Sequence, residues 1–105
     1  MKRASSPKHE RKRAGTWLKG LREAAGLTQL ELASRLGFKY YAFVSQVEIG
    51  FARLPTEKIE AWAKEVGVDP AWFAWRLLSY YEPELHRVLY NRAHRETAAE
   101  QDMCK

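Results

Sequence analysis

The chain has 105 residues, 46% of them hydrophobic, a formal net charge of +5 and one cysteine, Cys104. That length and apolar content suit one globular domain able to bury roughly two thirds of its unfolded surface. The lone cysteine excludes a disulfide framework and a cysteine-based metal cluster and suits a reducing cytoplasm; no apolar run approaches the ~18 residues of a membrane helix, and the basic N-terminus lacks the apolar segment of a secretory leader.

Residues 1–15 hold Lys2, Arg3, Lys8, Arg11, Lys12 and Arg13 against Glu10 alone, while the remaining 12 basic and 12 acidic residues cancel. The whole net charge therefore lies in a Ser/Pro-containing segment whose composition reads as a disordered basic arm. Trp17, Leu18, Leu21 and Ala25 then make an amphipathic helix ending at Gly26. Thr28 is a good N-cap and Glu31, three residues on, completes a capping box; Leu32, Ala33 and Leu36 supply one apolar face, which predicts a helix from about Gln29 to Leu36. Gly37 stands where a residue of positive φ would end that helix. A second short pattern follows, with Val44 and Val47 on one face and Glu48 beside them, and Gly50 stops it. Helices this short need a core shared with their neighbours.

Ile59, Trp62, Ala63 and Val66 predict a helix that starts after Pro55 and ends at Gly67. Asp69 and Pro70 read as N-cap and first position of a fifth helix through about Ser79, with Phe73 and Leu77 inward. Pro83, preceded by Glu82, opens a sixth with Leu85, Val88, Leu89 and Tyr90 along one side, and residues 97–105 read as a frayed tail. No window alternates as a strand would. The expected fold is all-α: a five-helix bundle with an additional C-terminal helix, arranged as an arm (1–15), a bundle (16–79) and a C-terminal helix and tail (80–105).

The stretches LREAAGLTQLELASRLG (Leu21 to Gly37), VSQVEIG (Val44 to Gly50) and AKEVGVDPAWF (Ala63 to Phe73), with Pro55 between them, resemble the phage repressor and Cro type of helix-turn-helix domain, the XRE-like family. The likeness runs from about Trp17 to Phe73. It implies double-stranded DNA as partner, with the second helix of the unit entering the major groove and the preceding helix lying across the backbone. Aligned on Val44, Val47, Glu48 and Gly50, it puts Tyr41, Ala42 and Phe43 at the exposed start of the reading helix and Gln46 one turn on. Gln46 is the strongest base-reading candidate, because its amide donates and accepts at an adenine edge. For Phe43 the competing reading is packing against a neighbouring helix.

Phosphate candidates are Thr28 and Gln29 at the start of the preceding helix, Lys39 and Tyr40 in the turn, Ser45, and Arg53 in the loop beyond. Thr28 also reads as a cap alone, whereas Gln29 has no capping role. By position in the family, Arg22 and Glu48 form an architectural pair fixing the angle between helices; the competing reading is a direct phosphate contact by Arg22. Arg3, Lys8, Arg11, Lys12 and Arg13 would follow a minor groove or neutralise phosphates, unless the arm only solubilises the chain. Two departures from the family pattern bear on register. Six residues separate Gly37 from Val44, one more than is common, which leaves Tyr40 or Tyr41 as the exposed aromatic. Apolar Ile49 stands where a polar residue frequently precedes the glycine.

Trp72, Trp75, Tyr80 and Tyr81 exceed what a small core needs and, with Leu85, Val88 and Leu89, suggest a two-fold dimer interface; the competing reading is a last helix completing its own core. His86 and His94 are too isolated for a metal site. With no glycine-rich phosphate loop and no nucleophile beside a base, an enzyme, a cofactor or a small-molecule ligand has no support. The expectation is a cytoplasmic, homodimeric, sequence-specific transcriptional repressor on a palindromic operator. The alternative is a protein-binding module on the same fold, such as an antitoxin or adaptor.

Overall fold

The computed structural model describes residues 7–91, which form six α-helices joined by short loops, with no strand among the described residues. They are α1 (Pro7–Ala24), α2 (Gln29–Leu36), α3 (Ala42–Glu48), α4 (Ile59–Val66), α5 (Pro70–Tyr81) and α6 (83–91), with a 3-10 turn at Thr56–Lys58 leading into α4. The all-α bundle with an added C-terminal helix is the fold that the apolar spacing predicts.

Local chemistry accounts for the boundaries. Thr28 and Glu31 form the full capping box at the start of α2, and Gly37 closes that helix in the left-handed region at φ 78°. The Asp69 side chain accepts the Trp72 N–H at the start of α5, just ahead of Pro70. The extra residue between Gly37 and Val44 is taken up in the turn, so α3 starts at Ala42 with Tyr41 as its N-cap. Leu18, Leu32, Val44, Val47, Trp62 and Phe73 are completely buried and form the centre of the core. Leu27 and Leu54 join them from loops.

The N-terminal segment departs from expectation. Residues 7–15, assigned to a disordered arm on composition, form the first half of α1, whereas Arg3 lies outside the described residues. The physical reason is packing. Ala14, Leu18 and Arg22 recur every fourth residue on the buried side of α1, so the helix extends by burying Ala14 while Lys8, Lys12 and Arg13 face outward. At Gly15 the backbones of α1 and α3 nearly touch: a Cβ there would collide with the Glu48 carbonyl and come within 2.8 Å of the Val47 carbonyl oxygen. Gly50, at φ 86°, is hemmed in by the Lys12 backbone at 2.8 Å from where its own Cβ would stand, and its carbonyl accepts the Arg11 Nε–H at 3.2 Å.

The C-terminal aromatics are also placed differently from a simple dimer surface. Trp17 gathers Trp72, Phe73 and Tyr80 around it at centroid distances of 5.9, 5.4 and 5.7 Å. Tyr81 is half-buried, and its hydroxyl accepts the Leu54 N–H at 3.0 Å. Burial raises the Tyr81 phenol above its ordinary pKa. Trp75 meets His86 at 4.3 Å and holds α6 beside α5. Tyr80, Tyr81 and much of Trp72 thus complete the chain's own core, because α1 reaches far enough to offer Trp17 as their partner. Leu85, Val88 and Leu89 stay 50%, 51% and 43% exposed.

Gly15→Ala is expected to cost about 1 to 3 kcal/mol through overpacking. Gly20→Ala, where a new Cβ meets nothing within 4 Å, is expected to gain about 0.5 to 1 kcal/mol from helix propensity alone. Urea unfolding of both variants checks the pair, and a neutral Gly15→Ala would remove the α1–α3 contact from the account.

Candidate nucleic-acid interface

The site is organised around a buried carboxylate. Glu48 ends α3, and its Oε2 accepts the Arg22 Nε–H at 2.6 Å while Oε1 accepts Arg22 Nη2 at 3.1 Å. Arg22 donates a further bond from Nη1 to the Leu27 carbonyl at 2.7 Å, which ties in the loop ahead of α2. Both side chains are almost wholly buried, at 8% and 2% exposure. The hydrogen bonds to Glu48 raise the Arg22 pKa above its already high ordinary value. Gln29 completes the network, its Nε2 donating to Glu48 Oε1 at 2.9 Å.

This geometry extends the sequence reading of Gln29. Its amide nitrogen bridges α2 to α3, a structural role that the sequence reading did not give it, while the side chain also borders a surface depression. Thr28 is occupied as a cap: its hydroxyl accepts the Glu31 N–H at 3.0 Å and its own N–H donates to Glu31 Oε1 at 2.8 Å. That hydrogen bond from the Thr28 backbone lowers the Glu31 pKa. With the Glu31 N–H capped, Gln29 and Leu30 are the first-turn residues of α2 whose N–H groups lie outside the intrahelical ladder.

Clamped at Glu48, α3 buries Val44 and Val47 against α1 and α2 and leaves Tyr41, Ala42, Gln46 and Ile49 exposed, with Ser45 half-buried between them. These positions recur at helical spacing, so they form one continuous outer stripe. Phe43 does not belong to it. Its ring packs edge-on against Phe38 at 4.9 Å, because the turn after α2 brings Phe38 over the same side of the helix. Lys39 and Tyr40 stand together in that turn, ammonium over ring at 5.5 Å, and both are exposed. Arg53 is drawn away from the phosphate role: it pairs with Glu82 at 3.0 Å and lies over the Tyr81 ring at 4.6 Å. Glu82 just after α5 is what captures it.

Of the basic residues assigned to the arm, Lys8, Arg11, Lys12 and Arg13 are carried on α1. Arg11 donates to Gly50, and Arg13 pairs with Glu10 at 3.2 Å. Sequence reasoning missed Thr16 and Lys19, which share a surface depression with Lys12 and Gln29. A signal was present: Pro7 suits a first helical position, and Ala14 continues the spacing of Leu18.

A helix-turn-helix family model matches residues 18–73, just over half of the 105 residues. The chain belongs to the XRE-type helix-turn-helix family. This helix-turn-helix protein is a DNA-binding regulator of that type, with α2 and α3 as the motif and α3 in the place of the reading helix. The matched segment leaves out residues 7–17 of α1 and all of α6. Among curated proteins, none matches the chain. No helix among the described residues is long and apolar enough to cross a membrane, and no group of metal-ligating side chains occurs among them.

Arg22→Ala or Glu48→Ala alone should cost about 3 to 5 kcal/mol, since each strands a buried charge, whereas Arg22→Met with Glu48→Leu should cost far less. Denaturant unfolding of the three variants measures this. A double variant as unstable as the singles would show that hydrogen-bond geometry, rather than stranded charge, is what the pair supplies.

Proposed function

We propose that the protein is a sequence-specific, homodimeric transcriptional repressor that occupies a palindromic operator, acting without catalysis or cofactor in the compartment that holds the DNA. The observation that carries this reading is the exposed stripe of α3, held at a fixed angle by the buried Arg22–Glu48 pair, with Gln46 exposed in the middle of it. Gln46 reads an adenine edge, and Ala42 and Tyr41 meet thymine methyls or sugars. Leu85, Val88 and Leu89 form the apolar side of α6 that supports pairing with a second copy, which would set two reading helices on half-sites about 34 to 36 Å apart. Occupancy of promoter DNA is then the means of repression.

A second reading rests on its own observation. Leu30, Tyr40, Ile49 and Phe51 are 63%, 67%, 62% and 74% exposed around the motif, an apolar surface that a protein partner would also cover. In that case the fold serves as a docking module and DNA binding is secondary.

Selection of bound fragments from a random duplex pool should return two inverted half-sites, and Gln46→Ala should relax preference at one position of each, a loss of about 1 to 3 kcal/mol at that base pair. Equal weakening on selected and random DNA would remove Gln46 from base reading, and no binding at any salt would favour the docking module. Leu85→Glu with Leu89→Glu should convert a dimer to a monomer in sedimentation; a wild type that sediments as a monomer would refute the α6 interface.

A further inference from the structure

The basic residues of α1 are not scattered over its surface. Lys8, Lys12, Thr16 and Lys19 follow one another at steps of four, four and three residues, which brings all of them onto one face of the helix. That face adjoins the motif: Lys12, Thr16, Lys19, Gln29, Glu48 and Ile49 line a depression of about 430 Å³ between α1, the start of α2 and the end of α3. Among the described residues neither Lys12 nor Lys19 has a carboxylate partner, whereas Arg13, Arg35, Arg53, Lys64 and Arg87 each have one. The one carboxylate in the wall, Glu48, is neutralised from beneath by Arg22, and Glu23, farther along the same face of α1, forms no ion pair with Lys19. The depression is therefore cationic through Lys12 and Lys19, while Glu31 offsets the dipole at the start of α2.

We propose that this depression is a seat for a phosphate of the duplex backbone, gripped by Lys12 and Lys19, and that the N-terminal half of α1 acts as a rigid clamp rather than as an arm. The inference rests on the reading of the protein as a duplex DNA binder and deepens it by assigning the residues that set its register. Rigidity comes from the backbone contact of Gly15 on Glu48 and Val47, the packing of Lys12 on Gly50, and the Arg11 bond to the Gly50 carbonyl. Ile49 and Glu48 belong to both the seat and the end of α3, so a phosphate held there lies on the same duplex that receives the reading helix. Such a contact carries no sequence information. It fixes how deep and at what phase α3 enters the groove.

The test uses the full chain and a mixed-sequence duplex, followed by fluorescence anisotropy over a salt series. Lys12→Gln with Lys19→Gln should make the plot of log affinity against log salt shallower by about two, and Lys19→Gln alone by about one. The selected operator and the mixed-sequence duplex should lose affinity in the same proportion. A charge-matched variant, Arg35→Gln with Lys64→Gln, should leave the slope as in the wild type. Thermal melting checks folding; if the double lysine variant does not fold, Lys19→Gln alone decides. An unchanged slope, or an equal change in the charge-matched variant, overturns the seat while leaving DNA binding standing. A wild type that binds no duplex at any salt overturns both.

Discussion

The geometry of the motif depends on the carboxylate of Glu48. Placing a charge at 2% exposure is unfavourable unless its lone pairs are filled, and here Arg22 supplies two hydrogen bonds and Gln29 a third. Those donors come from α1 and α2, so three helices share one anion. Any other angle between α2 and α3 would withdraw a donor and leave the charge stranded. The network contributes less to total stability than to uniqueness: an apolar core alone would tolerate several settings of a seven-residue helix, whereas this one tolerates few.

Two glycines extend that constraint to the far end of α3. Gly15 lets α1 pass against the Glu48 carbonyl, and Gly50 lets the chain turn under Lys12. The last turn of α3 is thus fixed from below by Arg22 and from the side by the α1 backbone. The first turn is held by packing alone, with Val44 in the core and Phe43 against Phe38. Tyr41 makes no side-chain capping bond, and Tyr40 and Lys39 project from the turn before it.

What was legible in the sequence is what local chemistry decides. The Thr28–Glu31 capping box, the closing glycines, the Asp69-Pro70 start and the apolar spacing of Leu32, Val44, Trp62 and Phe73 each act within a few residues, and each predicts its element. The Arg22–Glu48 pair was accessible only through family resemblance, since the partners lie 26 residues apart. The rest depended on tertiary placement. Gln29 is polar at a helix start in either role, and only the folded chain brings Glu48 to it. Phe43 looks like an exposed aromatic until the turn lays Phe38 over it, and Arg53 meets a carboxylate 29 residues away. The start of α1 was hidden for another reason: its cations dominate the composition, while the small residues that dock it, Ala14 and Gly15, carry almost no hydrophobic signal.

The joint between the loop after α3 and the end of α5 couples two surfaces that would otherwise be independent. Tyr81 holds the Leu54 backbone, and Glu82 holds Arg53, one residue before α6 begins. The loop that leaves the reading helix is thereby fastened to the chain at the end of α5, beside the first residue of α6. The start of α6 and the loop that leaves α3 are therefore joined by side-chain bonds as well as along the chain.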